Sequence, residues 1–92
     1  MATLEEKIAT ILDVLGKPGK NNHRHFHSAP VSIDYDPAEN NLQVTDYGIV
    51  MYRREKDKIL VHREGTWKKI VNGHYSWANA VKAERYRTGI PK

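Results

Sequence analysis

The segment LQVTDYGIVMYRREKDKILVHR, residues 42–63, decides the fold of this chain. Apolar and polar residues alternate along most of it, and β-branched and aromatic residues are frequent, which is typical of half-buried antiparallel strands. We predict a long strand over 42–52, a charged turn over 53–58 and a return strand over 59–63. This pair is expected to lie at the centre of the fold.

The apolar parity of the long strand changes in its middle. Leu42 and Val44 share one face, whereas Ile49 and Met51 have the opposite parity. A β-bulge at residues 46–48 would explain the change, because a bulge inserts one extra residue. The other explanation is a strand whose second half is apolar on both faces, with a helix covering each face. Since both ends of the chain predict helices, we favour the second explanation.

The N-terminal helix has a clear start and a clear end. Thr3 and Glu6 form a capping box, in which the hydroxyl accepts from the Glu6 N–H and the carboxylate reaches back. An apolar stripe at helical spacing follows, and Gly16 and Pro18 end the helix. We expect this stripe to cover the sheet, the alternative being a partner-binding helix. Its residues are Leu4, Ile8, Ile11, Leu12 and Leu15.

Shorter signals complete the fold. Residues 31–35 alternate as a strand, and the turn at 36–41 contains Pro37. Residues 66–71 are predicted to form a fourth strand, followed by a hairpin turn at Asn72 and Gly73. Ser76 caps a C-terminal helix that runs to about Arg87. The inner face of the sheet is expected to hold Val31, Ile33, Leu42, Val44, Ile49, Ile59 and Val61.

These elements predict an α+β fold: an N-terminal helix, a three- or four-stranded antiparallel meander and a C-terminal helix. The 92 residues make a single small domain, residues 1–92, with a thin core. The absence of cysteine excludes disulfides, thiolate metal sites and a catalytic cysteine. No signal peptide and no apolar run near ~20 residues is found, so we expect a soluble, cytoplasmic protein with no membrane partner.

Positive charge is concentrated in the second half of the chain. Residues 1–50 contain 4 Lys and Arg against 7 Asp and Glu, whereas residues 51–92 contain 11 against 4. Lys and Arg neutralise phosphates, and exposed aromatic rings stack on unpaired bases. We therefore predict a non-enzymatic protein that binds nucleic acid or an acidic protein surface. The residues predicted to bind are Arg53, Arg54, Lys56, Lys58, Lys68, Lys69, Lys82, Arg85 and Arg87.

Two expectations accompany this surface. Arg53 and Arg54 lie at a hairpin tip, so replacing both with glutamate should weaken binding with little loss of stability. Trp67 and Trp77 are interleaved with the lysines, but in a domain this small they are expected to be core residues.

The run of histidines at residues 23–27 predicts a second kind of site. In an extended segment His23, His25 and His27 lie on one side, and two imidazoles at that spacing can share a divalent ion. A third ligand would come from His62, Asp34 or Asp46. The alternative is a polar strand whose histidines contact solvent or their neighbours.

No motif specifies a reaction. The chain has no Ser, His and Asp arrangement, no glycine-rich phosphate loop and no nucleotide fingerprint, so we expect neither catalysis nor a cofactor. The alternative to nucleic-acid binding is a protein-interaction module, an inhibitor or adaptor of viral or mobile-element type. A sheet edge at residues 31–35, or the strand before the second helix, could pair with a partner strand or form a homodimer.

The order helix, strands, helix is similar to the double-stranded-RNA-binding domain. Residues 73–83 resemble the start of that family's second helix through Gly73, Ser76, Ala80, Lys82 and Ala83. Trp77 and Ala78 stand where that family has paired lysines, and residues 36–41 lack its Gly-Pro-x-His pattern. The sequence is therefore assigned to no family.

Overall fold

The computed structural model describes residues 3–88, with side chains as far as residue 85. Two helices accompany six strands, so the α+β class is confirmed and the strand count is six rather than three or four. The elements are α1 (Leu4–Val14), β1 (Lys17–Pro18), a 3-10 turn (Lys20–Asn22), β2 (Arg24–Ser28), β3 (Val31–Asp36), β4 (Asn41–Asp46), β5 (Ile49–Glu55), β6 (Lys58–His62) and α2 (Trp67–Thr88).

The strands form one antiparallel meander whose spatial order follows the chain from β1 to β6. A row of directly paired residues crosses its middle, and every member of the row is buried. The row consists of Phe26, Ile33, Val44 and Tyr52. Side chains of this parity form the inner face, which packs against both helices in a single core cluster. The opposite parity forms the outer face, on which His25, His27 and Asp34 are exposed.

The predicted long strand 42–52 is two strands. Tyr47 and Gly48 form the turn between β4 and β5 with φ of 54° and 77°, the positive values that a type I′ hairpin requires. A register shift does occur, between Val44 and Thr45, but the turn is the main reason that the apolar parity changes. The favoured explanation, a strand between two helices, is wrong because α1 and α2 lie on the same face of the sheet.

Helix α1 forms as its sequence predicts. The Glu6 N–H donates to the Thr3 hydroxyl at 3.2 Å, and the Thr3 N–H donates to the Glu6 carboxylate at 2.7 Å. These hydrogen bonds lower the pKa of Glu6. Ile8, Ile11 and Leu12 are buried in the core, so the prediction that the stripe covers the sheet is confirmed.

Helix α2 begins at Trp67, ten residues before the first residue that would follow a Ser76 cap. The predicted strand over 66–71 and the turn at 72–73 are both wrong, because these residues form the first turns of the helix. Trp67, Val71 and Ala78 are buried along one helical face. Trp77 is 63% exposed, so its expected place in the core is also wrong.

Four of the seven residues predicted for the inner face are buried: Val31, Ile33, Leu42 and Val44. Ile49 and Ile59 are exposed, and Val61 pairs with Arg53 on the outer face. The six strands also depart from the three of the double-stranded-RNA-binding domain. Neither described helix combines the length and the apolar character that a bilayer crossing requires.

Candidate functional site

Strand β6 forms one edge of the sheet and offers its backbone to a partner. Within the described residues, no backbone hydrogen bond joins residues 58–62 to an element other than β5. Ile59 and Leu60 are 54% and 45% exposed. Such an edge presents unpaired N–H and C=O groups, which an added strand can satisfy. We call residues 58–62 the β6 edge.

A bulge explains why this apolar run is not absorbed into the core. The register between β5 and β6 shifts so that Ile59 pairs with Arg54 and Val61 pairs with Arg53, and Leu60 is the extra residue. Ile59 therefore lies on the inner face and Val61 on the outer face. The three consecutive apolar residues thus have different positions: Ile59 is on the inner face, Leu60 is in the bulge and Val61 is on the outer face. No single face of the sheet buries all three.

An aromatic group anchors the far end of the β6 edge. His62 packs edge-on against Tyr52 with ring centroids 5.2 Å apart, and Trp67 lies 6.0 Å from Tyr52. The Trp67 indole N–H donates to the Arg63 carbonyl at 2.8 Å. Burial, together with a hydrogen bond to the carboxylate of Glu5, raises the pKa of Tyr52 to about 12. The strand is thus held in place before any partner binds, which lowers the ordering cost of binding.

The opposite edge is closed. Strand β1 has two residues, and Pro18 has no N–H to donate to a ladder. The next donor, the Gly19 N–H, is bonded to the His23 carbonyl at 2.7 Å. Short length and proline are the devices by which proteins protect sheet edges.

The two arginines predicted at the hairpin tip lie on opposite faces of the sheet. Arg53 is on the outer face, where it pairs with Glu55 at 2.6 Å. Arg54 is on the inner side, 15% exposed, and pairs with Glu5 of α1 at 2.8 Å. It also donates to the carbonyls of Asn40 and Lys56. The expectation that both are exposed at one tip is therefore wrong, and Arg54 has a structural role.

The other predicted basic residues are also dispersed. Lys56 and Lys58 are exposed at the turn between β5 and β6. Lys69 and Lys82 are exposed on α2, which begins beyond the other end of β6, and Lys68 pairs with Glu64 at 2.9 Å. Arg85 is half-buried with contacts of its own, and the side chain of Arg87 lies outside the described residues. Of the predicted cations, Arg53, Arg54 and Lys68 are thus each paired with a carboxylate.

The three histidines each contact a neighbour on β3. His25 hydrogen-bonds to Asp34 at 2.7 Å and His27 to Ser32 at 2.6 Å, and the His23 ring lies 3.3 Å from the Asp36 carboxylate. The proposed further ligands His62 and Asp46 lie on the inner face, away from this row. Among the described residues no group of three His, Asp or Glu side chains is placed to hold a metal ion. The row has the arrangement of a polar outer strand.

Other titratable groups form pairs that join neighbouring elements. The buried Asp46 carboxylate accepts from the Thr66 hydroxyl at 2.9 Å, next to the start of α2. His74 of α2 contacts the Ser28 hydroxyl at 3.0 Å. Both contacts tie α2 to the sheet.

A cleft of about 270 Å³ separates α1 from the sheet. Apolar side chains such as Ile8, Leu12 and Leu42 line it. Its lining also includes two cations, Arg24 and Arg54, and two carboxylates, Glu5 and Asp13, so the cleft has no strong preference for one ligand charge.

No family model matches this chain. No curated protein is significantly similar to it. No solved structure matches it either. The sequence interpretation offered residues 31–35 as a sheet edge, which is wrong because β3 lies between β2 and β4. It missed the β6 edge because it placed Ile59 and Val61 together in the core. The signal that favours an edge is that Ile59, Leu60 and Val61 are consecutive, which one sheet face cannot bury.

Proposed function

We propose that the protein is a non-catalytic protein-interaction module whose β6 edge accepts an extended strand of a partner protein. The observation that carries this proposal is the β6 edge itself: five residues paired on one side only, with Ile59 and Leu60 exposed. Main-chain hydrogen bonds would supply affinity, and pockets for alternate side chains would supply selectivity.

The expected affinity of the β6 edge for a single strand is low. Completing the burial of two half-exposed aliphatic side chains contributes about 1 kcal/mol each, and each added backbone hydrogen bond about 0.5–1.5 kcal/mol net. Ordering of the partner segment and lost rigid-body freedom offset much of this gain. The net binding free energy is then only a few kcal/mol, which corresponds to a dissociation constant of about millimolar and suits a reversible adaptor or inhibitor.

The edge is a better basis for function than the predicted basic surface. Nucleic-acid binding requires several phosphates to be neutralised together. Arg54 and Lys68 are paired with carboxylates, Arg53 is paired with Glu55, and Lys69 lies on a different element from Lys58. Nucleic-acid binding stays a prediction and is an arm of the experiment below.

The experiment selects linear peptides from a random display library on the intact protein and maps them by two-dimensional NMR. We expect the peptides to shift the backbone amide signals of residues 58–62. The variant with Ile59→Lys and Leu60→Lys should bind at least about tenfold more weakly, while its stability changes by about 0.5 kcal/mol or less because both side chains are exposed. The variant with Tyr47→Lys and Trp77→Lys makes the same charge change at two exposed apolar side chains outside β6, so it is the matched control and should bind as the parent does.

Two results would contradict the proposal. One is peptides that shift signals elsewhere and bind the doubly substituted variant unchanged. The other is tight, salt-dependent binding of a single- or double-stranded oligonucleotide that also survives the two substitutions, since this would favour the basic residues instead.

A further inference from the structure

We propose that helix α2 packs against α2 of a second copy of this chain in antiparallel orientation, along a line of residues that the fold leaves uncovered. This contact is separate from the β6 edge, so the inference goes beyond the proposed function. We call the line the α2 seam, and its residues are Ile70, Gly73, Trp77 and Ala80.

The α2 seam is a second apolar line on a helix whose first apolar face fills the core. Gly73, Trp77 and Ala80 are exposed, and Ile70 is half-buried against the core cluster. Intervals of three, four and three residues keep the line on one side of the helix. From the helical repeat, this side lies about 120° around the axis from the core face. A second helix can therefore reach the seam without disturbing the core.

Two residues of the α2 seam have no explanation within a single chain. Trp77 is 63% exposed, although a tryptophan carries more apolar surface than any other residue. Gly73 is inside the helix, where glycine is the least favoured residue after proline. No atom lies within 4 Å of where a Cβ at Gly73 would be, so the fold does not require a glycine there. A helix packed on the seam accounts for both residues.

The large and small residues of the α2 seam complement each other across a twofold axis. In an antiparallel pair centred on residue 75, Trp77 of each copy faces Gly73 of the other, and Ile70 faces Ala80. Each of these contacts occurs twice because the interface is twofold. A large side chain thus meets a small one at every layer, which is how the side chains of facing helices interdigitate.

Volume and charge both favour the antiparallel orientation over the parallel one. A parallel pair would place Trp77 against Trp77 and Gly73 against Gly73, and it would bring the two Lys69 side chains together. In the antiparallel pair Lys69 of one copy lies about one helical turn from Glu84 of the other, and both side chains are exposed. Opposite charges therefore meet at each end of the seam.

The neighbouring antiparallel registers fit less well. A shift of one helical turn places Trp77 against itself in one direction and against Ile70 in the other, so large side chains collide and small ones leave gaps. A shift of two turns places Glu84 against Gly73, which would bury a carboxylate, or carries Ala80 beyond the start of the helix. The register centred on residue 75 avoids all four mismatches.

The dimer should be reversible, because the interface is small. Each Trp77 side chain has roughly 150 Å² of surface left to bury. Together with the smaller residues of the seam, two copies fall in the range of weak interfaces, below about 1,200 Å². We therefore expect dimers at high protein concentration that dissociate on dilution.

The first test is sedimentation equilibrium between about 10 µM and about 1 mM protein. The parent should associate to a dimer towards the upper end of this range. Trp77→Ala should weaken association at least about tenfold, because it removes the larger partner from two contacts. The variant with Ile59→Lys and Leu60→Lys should associate as the parent does, since β6 takes no part in this interface.

The second test exchanges the large and the small residue. Gly73→Leu should weaken association at least about tenfold, while the free energy of unfolding stays equal or rises, because the new side chain has open space and leucine is the better helix former. Gly73→Leu combined with Trp77→Ala should associate more tightly than either single variant, since a large side chain again faces a small one. Asn79→Leu, exposed on another side of α2, is the matched control and should associate as the parent does.

Four results would overturn the inference. The first is a parent that stays monomeric at about 1 mM. The second is a dimer that keeps its affinity in both Trp77→Ala and Gly73→Leu. The third is a combined variant that associates no more tightly than the weaker single variant. The fourth is a dimer that is lost when Ile59 and Leu60 are replaced, because self-association would then take place at the β6 edge.

Discussion

Strand β1, at one edge of the sheet, has two residues and contains Pro18, whereas β6, at the other edge, has five residues and exposes Ile59 and Leu60. The short length and the proline of β1 thus protect that edge from pairing, whereas the edge at β6 stays accessible. Exposed edges risk association, and proteins generally shield them. An accessible ladder with exposed apolar side chains is the difference between the two edges on which the proposed function rests.

The two edges also differ in how they are attached to the core. Strand β1 pairs only with β2 through Lys17 and Pro18, and both residues are exposed. Strand β6 is fixed through His62 to the buried pair Tyr52 and Trp67. An edge that serves recognition needs a defined position, and the aromatic group provides it.

The largest expected effect comes from removing that anchor. Trp67→Ala should lower the free energy of unfolding by about 3–5 kcal/mol, because it deletes a fully buried aromatic side chain at the start of α2. Amide exchange should accelerate more in β6 than in β2. Trp77→Ala is the matched control. That side chain is 63% exposed, so the free energy of unfolding measured in urea should change by about 0.5 kcal/mol or less. Similar losses in the two variants would contradict this account of the anchor.

A smaller effect should appear at high pH, through Tyr52. Its pKa is about 12 in the folded protein against an ordinary value of 10.0, so the unfolded chain loses this proton first. Stability is therefore present in full below pH 10 and is lost as the pH rises towards 12. The shift corresponds to about 2–3 kcal/mol. Urea unfolding from pH 9 upward should show this loss, and Tyr52→Phe should show a shallower dependence. Equal slopes in both proteins would exclude Tyr52 as its cause.

The elements that the sequence predicts correctly are those determined locally. The start of α1 depends on Thr3 and Glu6, which are three residues apart, and its apolar stripe repeats within the helix. The turn over 36–41 is equally local, since the Asp36 carboxylate accepts from the Ala38 N–H at 3.0 Å. In both cases the interacting groups are close in sequence, so their spacing is sufficient to predict the local structure.

The start of α2 depends on tertiary contacts and was not predictable in this way. Residues 66–71 are too short to distinguish strand from helix by pattern, and Asn72 with Gly73 is a strong turn signal. Residues 67–73 are helical because the helix places Trp67, Val71 and Ala78 on one face, where all three are buried in the core. The exposure of Leu60 likewise depends on the register between β5 and β6, which no single strand specifies.

Arg53 and Arg54 provide the smallest and most selective test, because they are adjacent in sequence and differ in surroundings. Arg54 joins β5 to Glu5 of α1 and to the carbonyl of Asn40, whereas the contacts of Arg53 are with Glu55 and Gln43 on the outer face. Arg54→Ala should lower the free energy of unfolding by about 1–3 kcal/mol, since it removes the cation from a part-buried carboxylate, which keeps only the Tyr52 hydroxyl as a donor. Arg53→Ala should cost about 0.5 kcal/mol or less, as expected for an exposed pair.

Because Arg54 lies opposite Ile59, its loss should also loosen the first residues of β6 and weaken peptide binding, while Arg53→Ala should leave binding unchanged. Equal losses of unfolding free energy in the two variants, measured in urea, would mean that the contacts of Arg54 with Glu5 and Asn40 do not stabilise the β6 edge.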